Sequence, residues 1–199
     1  MDGLTSLEST GGMDVRGVHI EDPLTGLSLD PGEPLTWRRT VPLGSEFELR
    51  QGSSLIGEME RDDRKEVDAS GECLGQTWDL RMESGLFRRI RIETTRSFGD
   101  KAGPTYDSRS FGRGRIRTAT GELLRWRKPF FSFSDYILLD SAGTLLIRLR
   151  PAFFSLLRTE TTVIVTRPAW RRPDIASLLL LAWFIRVHAR SGGSRVFRR

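Results

Sequence analysis

A chain of 199 residues with 38% hydrophobic content can bury one core, so it reads as one domain with tails. Its single cysteine, Cys73, excludes an intrachain disulfide framework and fits a reducing, cytoplasmic setting. The formal net charge is +5, and all but three of the 31 basic residues (Lys65, Lys101, Lys128) are arginine. Arginine suits bidentate contact with phosphate or carboxylate, although a genome rich in G and C produces the same enrichment.

Residues 1–33 carry seven acids against one arginine, with few large apolar side chains. Such a segment cannot bury enough surface to offset its ordering entropy, and is expected to be a disordered acidic tail. Its first twelve residues lack the charged-then-apolar order of a signal peptide. The folded domain is expected over 34–190, followed by a basic tail at 191–199. From Pro34 onward the balance reverses to 30 basic against 19 acidic residues. A basic body points to anionic partners, or to solvated strand faces.

From Leu35 the pattern is short strands separated by turn residues. Leu35 to Val41, Phe47 to Gln51 and Ser54 to Arg61 come first, and Asp62 to Gly71 reads as a charged loop. Thr77 to Glu83 and Leu86 to Arg96 flank Ser84-Gly85, a two-residue turn signal. Phe98 to Pro104 reads as a loop before Tyr106 to Phe111, Arg113 to Thr118 and Leu123 to Lys128. Asp135 to Leu139 and Thr144 to Arg150 surround the turn Asp140-Ser141-Ala142-Gly143, and Arg158 to Thr166 is the last strand. Eleven or twelve strands at this spacing predict a closed or nearly closed antiparallel barrel.

One hairpin can be placed in register. Ile116, Leu124 and Trp126 should share the buried face, which needs an odd-length loop because strand side chains alternate. Arg113, Arg115, Arg117, Arg125 and Arg127 then lie together on the opposite face. Like charges opposite one another disfavour pairing, so this face calls for solvent, acidic neighbours or an anionic ligand.

The chain's most informative stretch is Ile175 to Val187, Ile-Ala-Ser-Leu-Leu-Leu-Leu-Ala-Trp-Phe-Ile-Arg-Val. A helix apolar on every side must be enclosed. After a run of strands it becomes the axis of a barrel, predicted over 174–190, with Asp174 placed to cap it or Pro173 to set its entry, and Ser191-Gly192-Gly193 to end it. The uncharged run Ile175 to Ile185 spans roughly 16 Å as helix, short of a ~30 Å hydrocarbon core, so no transmembrane span is expected.

These features resemble the tubby C-terminal-like superfamily, which includes tubby proteins, phospholipid scramblases and LURP-one-related proteins. The resemblance covers about Leu35 to Arg190. It is carried by Phe47-Glu48-Leu49-Arg50, Leu55-Ile56-Gly57-Glu58, the Asp140 to Leu146 hairpin and Ile175 to Val187. It implies a roughly twelve-stranded barrel around a central hydrophobic helix. It also implies a non-enzymatic binding or scaffold module, since tubby domains bind phosphoinositides through basic side chains. Scramblases carry a calcium-binding segment beside a longer helix; no acidic run sits beside this helix, which puts scramblase-like activity in doubt.

Other chemistry is sparse. Two histidines and one cysteine give no metal spacing, and no cofactor is expected. Cys73 reads as a buried small hydrophobe. Glu58, Glu60 and Asp62 alternate and could share one face for acid–base work or calcium binding, or form a solvated strand face, the reading favoured because the calcium-loop pattern is missing. Gly112-Arg113-Gly114 precedes a strand, so it lacks the helix terminus that a phosphate loop uses. The five-arginine face therefore leads, with anionic membrane lipid headgroups as the expected partner and a peripheral membrane position. Nucleic acid through the same arginines is the alternative, weakened because Trp126 points away from Arg125 and Arg127.

Overall fold

The computed structural model describes residues 20–21, 28–41, 44–62, 68–84, 89–99, 101–129, 135–152 and 160–190. The expectations for 1–19 and for the tail 191–199, including the glycine stop, lie outside the described residues. Two short strands, β1 (Ile20–Glu21) and β2 (Ser28–Leu29), pair with each other. Twelve strands then form a closed antiparallel barrel. They are β3 (Leu35–Arg39), β4 (Glu46–Gln51), β5 (Ser54–Arg61), β6 (Ala69–Cys73), β7 (Gln76–Ser84) and β8 (Ile90–Arg96). The ring continues with β9 (Ala102–Ser110), β10 (Arg113–Arg117), β11 (Leu123–Arg127), β12 (Tyr136–Leu139), β13 (Leu145–Pro151) and β14 (Thr161–Val165). Pairing follows chain order throughout, and β14 closes the ring onto β3 through Thr161 opposite Trp37. Along most strands burial alternates residue by residue, as in β6 and β8, which puts one face in the core and the other in water.

A four-residue helix, α1 (Arg167–Trp170), leads into α2 (Ile175–Arg190). Every residue of α2 from Ile175 to Val187 is buried, none more than 6% exposed. Its contacts point in several directions from one axis. Trp183 stacks on Trp37 of β3 at 5.2 Å and meets Phe47 of β4 edge-on at 5.4 Å. Leu180 faces β6 at Gly71, and the Arg186 guanidinium lies over Tyr136 of β12, 5.4 Å from the ring centre. The helix is the barrel's axis, as its composition demands. No helix among the described residues is long and apolar enough to cross a membrane.

Four local expectations are corrected. Asp62 to Gly71 is not all loop, because Ala69–Cys73 is a barrel strand. Its inward residues, Ala69, Gly71 and Cys73, are small because the axial helix comes closest there. A Cβ on Gly71 would lie 2.9 Å from Leu180 Cδ2 and 2.7 Å from the Glu58 carbonyl oxygen. Likewise Phe98 to Pro104 is shorter as a loop than expected, since β9 already begins at Ala102. Ser84 belongs to β7 and pairs with Ile90, so the strand expected from Leu86 pairs only from Ile90 onward, and residues 85–88 lie outside the described residues. The fold also reaches upstream of Pro34: Leu29 is buried, and the Gln51 side-chain amide donates to the Asp30 and Glu33 carbonyls while its oxygen accepts from the Asp30 amide. A buried glutamine that satisfies three backbone groups fixes that entry segment.

Asp174 ends up in a different role from the one expected of it. Both its carboxylate oxygens accept from Arg172, whose Nη2 also donates to Glu122 at 2.8 Å. This clasp ties the start of α2 to the β10–β11 connection. The bulk around Gly71 leads to a stability prediction. Replacing Gly71 with Val should destabilise the fold by about 2 kcal/mol or more through overpacking, read as a lower midpoint in urea, whereas the same change at Gly112, where an added Cβ meets open space, should be close to neutral.

Candidate anion-binding face

The β10–β11 hairpin is built by its turn. The Thr118 amide donates to the Glu122 carbonyl at 2.9 Å, and Gly121 takes a φ of +87° that a side chain would resist. Five residues therefore separate Arg117 from Leu123, an odd number, and Ile116 sits opposite Leu124. Ile116, Leu124 and Trp126 are buried, as alternation requires, and the outer face collects all five arginines. Arg113 lies opposite Arg127 and Arg115 opposite Arg125.

Two buried rings hold the hairpin from beneath. Trp126 donates its indole N–H to the Phe111 carbonyl at 3.0 Å and stacks on Tyr136 at 5.4 Å. Tyr106, wholly buried, lies under Gly114, where an added Cβ would come within 2.2 Å of its ring. Its hydroxyl donates to the Ser110 carbonyl at 2.8 Å, and burial pushes its pKa upward. Gly114 is therefore a packing glycine, which explains the Arg-Gly-Arg spacing without a phosphate loop.

The nearby acids are already engaged. Asp107 faces Arg115 across β9–β10 but pairs with Arg89 at 3.0 Å, and Glu122 pairs with Arg172. Glu93 pairs with Arg91 at 2.8 Å. Among the described residues none of the five arginines has a carboxylate within ion-pair distance. Each cross-strand arginine pair disfavours the sheet by up to about 1 kcal/mol, a repulsion that an anion would relieve.

The opposite wall has the reverse charge. Going round the ring, β5 lies six strands from β11. On β4, β5 and β6, Glu46 faces Glu60, Glu48 faces Glu58, and Glu58 faces Glu72. They line a concave cleft of about 400 Å³ together with Thr40, Ser70 and Thr77. Glu58 and Glu60 were legible as one face; Asp62 does not line the cleft. Glu46, Glu48 and Glu72 complete it; Glu72 lies in β6, between the loop expected over Asp62 to Gly71 and the strand expected from Thr77. Arg50 and Arg38 hold the Glu48 carboxyl below the usual carboxylate range, at 2.8 and 3.0 Å, so this group is an acceptor and not a proton donor. Among the described residues no cluster of three or more His, Cys, Asp or Glu is arranged to hold a metal ion.

Cys73 is completely buried, and desolvation, with the Glu72 charge adding to it, pushes its thiol up to about 12. Its thiolate is therefore scarce at neutral pH. The folded protein should leave the thiol unreacted with a disulfide reagent at pH 8, and full reaction should appear only in denaturant; rapid reaction of the native protein would contradict the buried placement. The chain matches no protein-family model, and no curated protein or solved structure is significantly similar to it.

Proposed function

We propose that this protein is a non-enzymatic binding module whose β10–β11 face meets the anionic headgroups of membrane lipids. One observation carries the reading: five exposed arginines share one outer face, and among the described residues none of them is ion-paired with a carboxylate. Guanidinium groups in such an array suit bidentate contact with phosphate oxygens. The closed barrel with its buried helix is the architecture that the tubby-like resemblance implies, and membership of that superfamily is part of the proposal. Nucleic acid is the weaker partner for this face, because its aromatic residue, Trp126, is buried behind the arginines and unavailable for base stacking.

Sedimentation with vesicles tests the reading. At low salt the protein should co-sediment with phosphatidylcholine vesicles containing a phosphatidylinositol phosphate and should stay in the supernatant with phosphatidylcholine alone. Each basic residue near an anionic surface contributes about 1 kcal/mol, so the double change R115Q/R125Q should weaken binding about 30-fold. Raising salt should weaken it further. Equal sedimentation with neutral and anionic vesicles would remove the proposal. Binding to DNA or RNA with a steep salt dependence, and none to vesicles, would move the same face to a nucleic-acid role.

A further inference from the structure

The arginine face does not stand alone at its end of the barrel. The loop between β8 and β9 lies on the same rim as the β10–β11 connection, because Thr105 of β9 pairs with both Glu93 and Arg117. At its tip Phe98 is 86% exposed, the most exposed large apolar side chain among the described residues. Single exposed apolar groups are ordinary on protein surfaces. Val41, Leu55 and Ile164 fit that description, each on a different part of the barrel. Phe98 differs in position. Its loop is held by backbone bonds from the Ser97 amide to the Thr77 carbonyl and from the Arg96 amide to the Lys101 carbonyl, both 3.1 Å. Gly99, at φ +98°, makes the bend that presents it. Two strands on from β9 at this end of the barrel, Leu123 of β11 is 40% exposed opposite Arg117. Arg96 and Lys101 bracket the Phe98 loop in sequence and Arg117 ends β10 at the same rim; none of the three has an ion-pair partner among the described residues.

We infer that the barrel docks on an anionic bilayer end-on, with the Phe98 loop entering the interface and the rim cations meeting the phosphates beside it. The inference rests on the lipid reading above and adds a direction to it. An aromatic side chain at an exposed loop tip, on a rim whose cations Arg96, Lys101 and Arg117 have no ion-pair partner among the described residues, matches a surface that is apolar just below a layer of negative charge. Position along β10 then grades the arginines. Arg117 is at the rim, while Arg113 is four residues further along the strand, about 13 Å away from it. End-on docking makes Arg117 matter more than Arg113, whereas flat docking of the hairpin makes them equal and leaves Phe98 idle.

F98W provides the reporter. The native tryptophans are buried, at most 8% exposed, so a new exposed indole should dominate any change in emission. Vesicles of phosphatidylcholine with a phosphatidylinositol phosphate should shift F98W emission to the blue, and soluble inositol phosphate at the same phosphate concentration should not. F98A should weaken vesicle binding about tenfold, R117Q by a similar factor, and R113Q by less than twofold. Phe98 lies on the surface, so F98A leaves the core intact. Unshifted F98W emission with unchanged F98A binding would overturn the end-on geometry, while a loss of binding in R115Q/R125Q would still uphold the arginine face. Blue-shifted emission without any lipid would point to self-association through Phe98 and likewise overturn the inference. Failure of the unaltered protein to bind anionic vesicles at all would take both readings down.

Discussion

Enclosure of α2 is the constraint from which the rest of the structure follows. Thirteen consecutive residues with no water-facing side leave the chain no stable arrangement except a wall on every side of the helix. A sheet meets that demand only by closing, and closure also removes the edges through which strands pair with other chains. The cylinder must then fit its contents. Where the helix carries bulk the wall supplies flat aromatic surface, as Trp37 does for Trp183. Where the helix comes close to the wall, at β6, the wall shrinks to Ala69, Gly71 and Cys73.

Such a filled barrel tolerates polar groups only on particular terms. Arg186 belongs to the apolar run and is 5% exposed, yet its guanidinium rests on the face of Tyr136, where the ring's quadrupole favours a cation. Tyr136 in turn stacks on Trp126, which supports the arginine hairpin from inside. A charge on the axial helix is thus linked through two rings to the wall that displays the exposed arginines. Trp37 and Trp183 leave their indole N–H groups without acceptors among the described residues, and their parallel stacking supplies area in place of a hydrogen bond.

Much of this could be read from residue order, and the exceptions have physical causes. The arginine hairpin was legible because alternation and an odd connection depend only on counting, and both hold in the structure. The axial helix was legible because no amphipathic alternative exists for its composition. By contrast β6 was missed: Ala-Ser-Gly-Glu-Cys has low strand propensity, and its smallness makes sense only once the helix is known to press against it. Its turn was hidden as well. Leu74 and Gly75 both take positive φ, 52° and 68°, in a two-residue turn between paired Cys73 and Gln76, and leucine is a poor signal for that geometry. The acidic cleft needed β6 in place before Glu72 could be set against Glu58. The clasp of Arg172, Asp174 and Glu122 joins residues 50 apart in sequence, a distance at which local pattern carries no information.

Charge on the finished barrel is separated, and the separation bears on which side can face a membrane. The β4–β6 wall presents glutamates in three directly opposed pairs, six strands from the arginine hairpin. An anionic surface would repel the first wall and attract the second, so at long range the separation would turn the arginine side toward it, while which part of that side makes contact is set by the rim. Within a Debye length of about 10 Å the local arrangement takes over, and there the basic wall differs from an ordinary solvated strand face. Among the described residues its neighbouring acids are bound elsewhere, Asp107 to Arg89 and Glu122 to Arg172. Asp107 stands opposite Arg115 and Glu122 in the hairpin connection, so Arg89 and Arg172, which offset those two carboxylates, are as much a part of the basic face as the five arginines themselves.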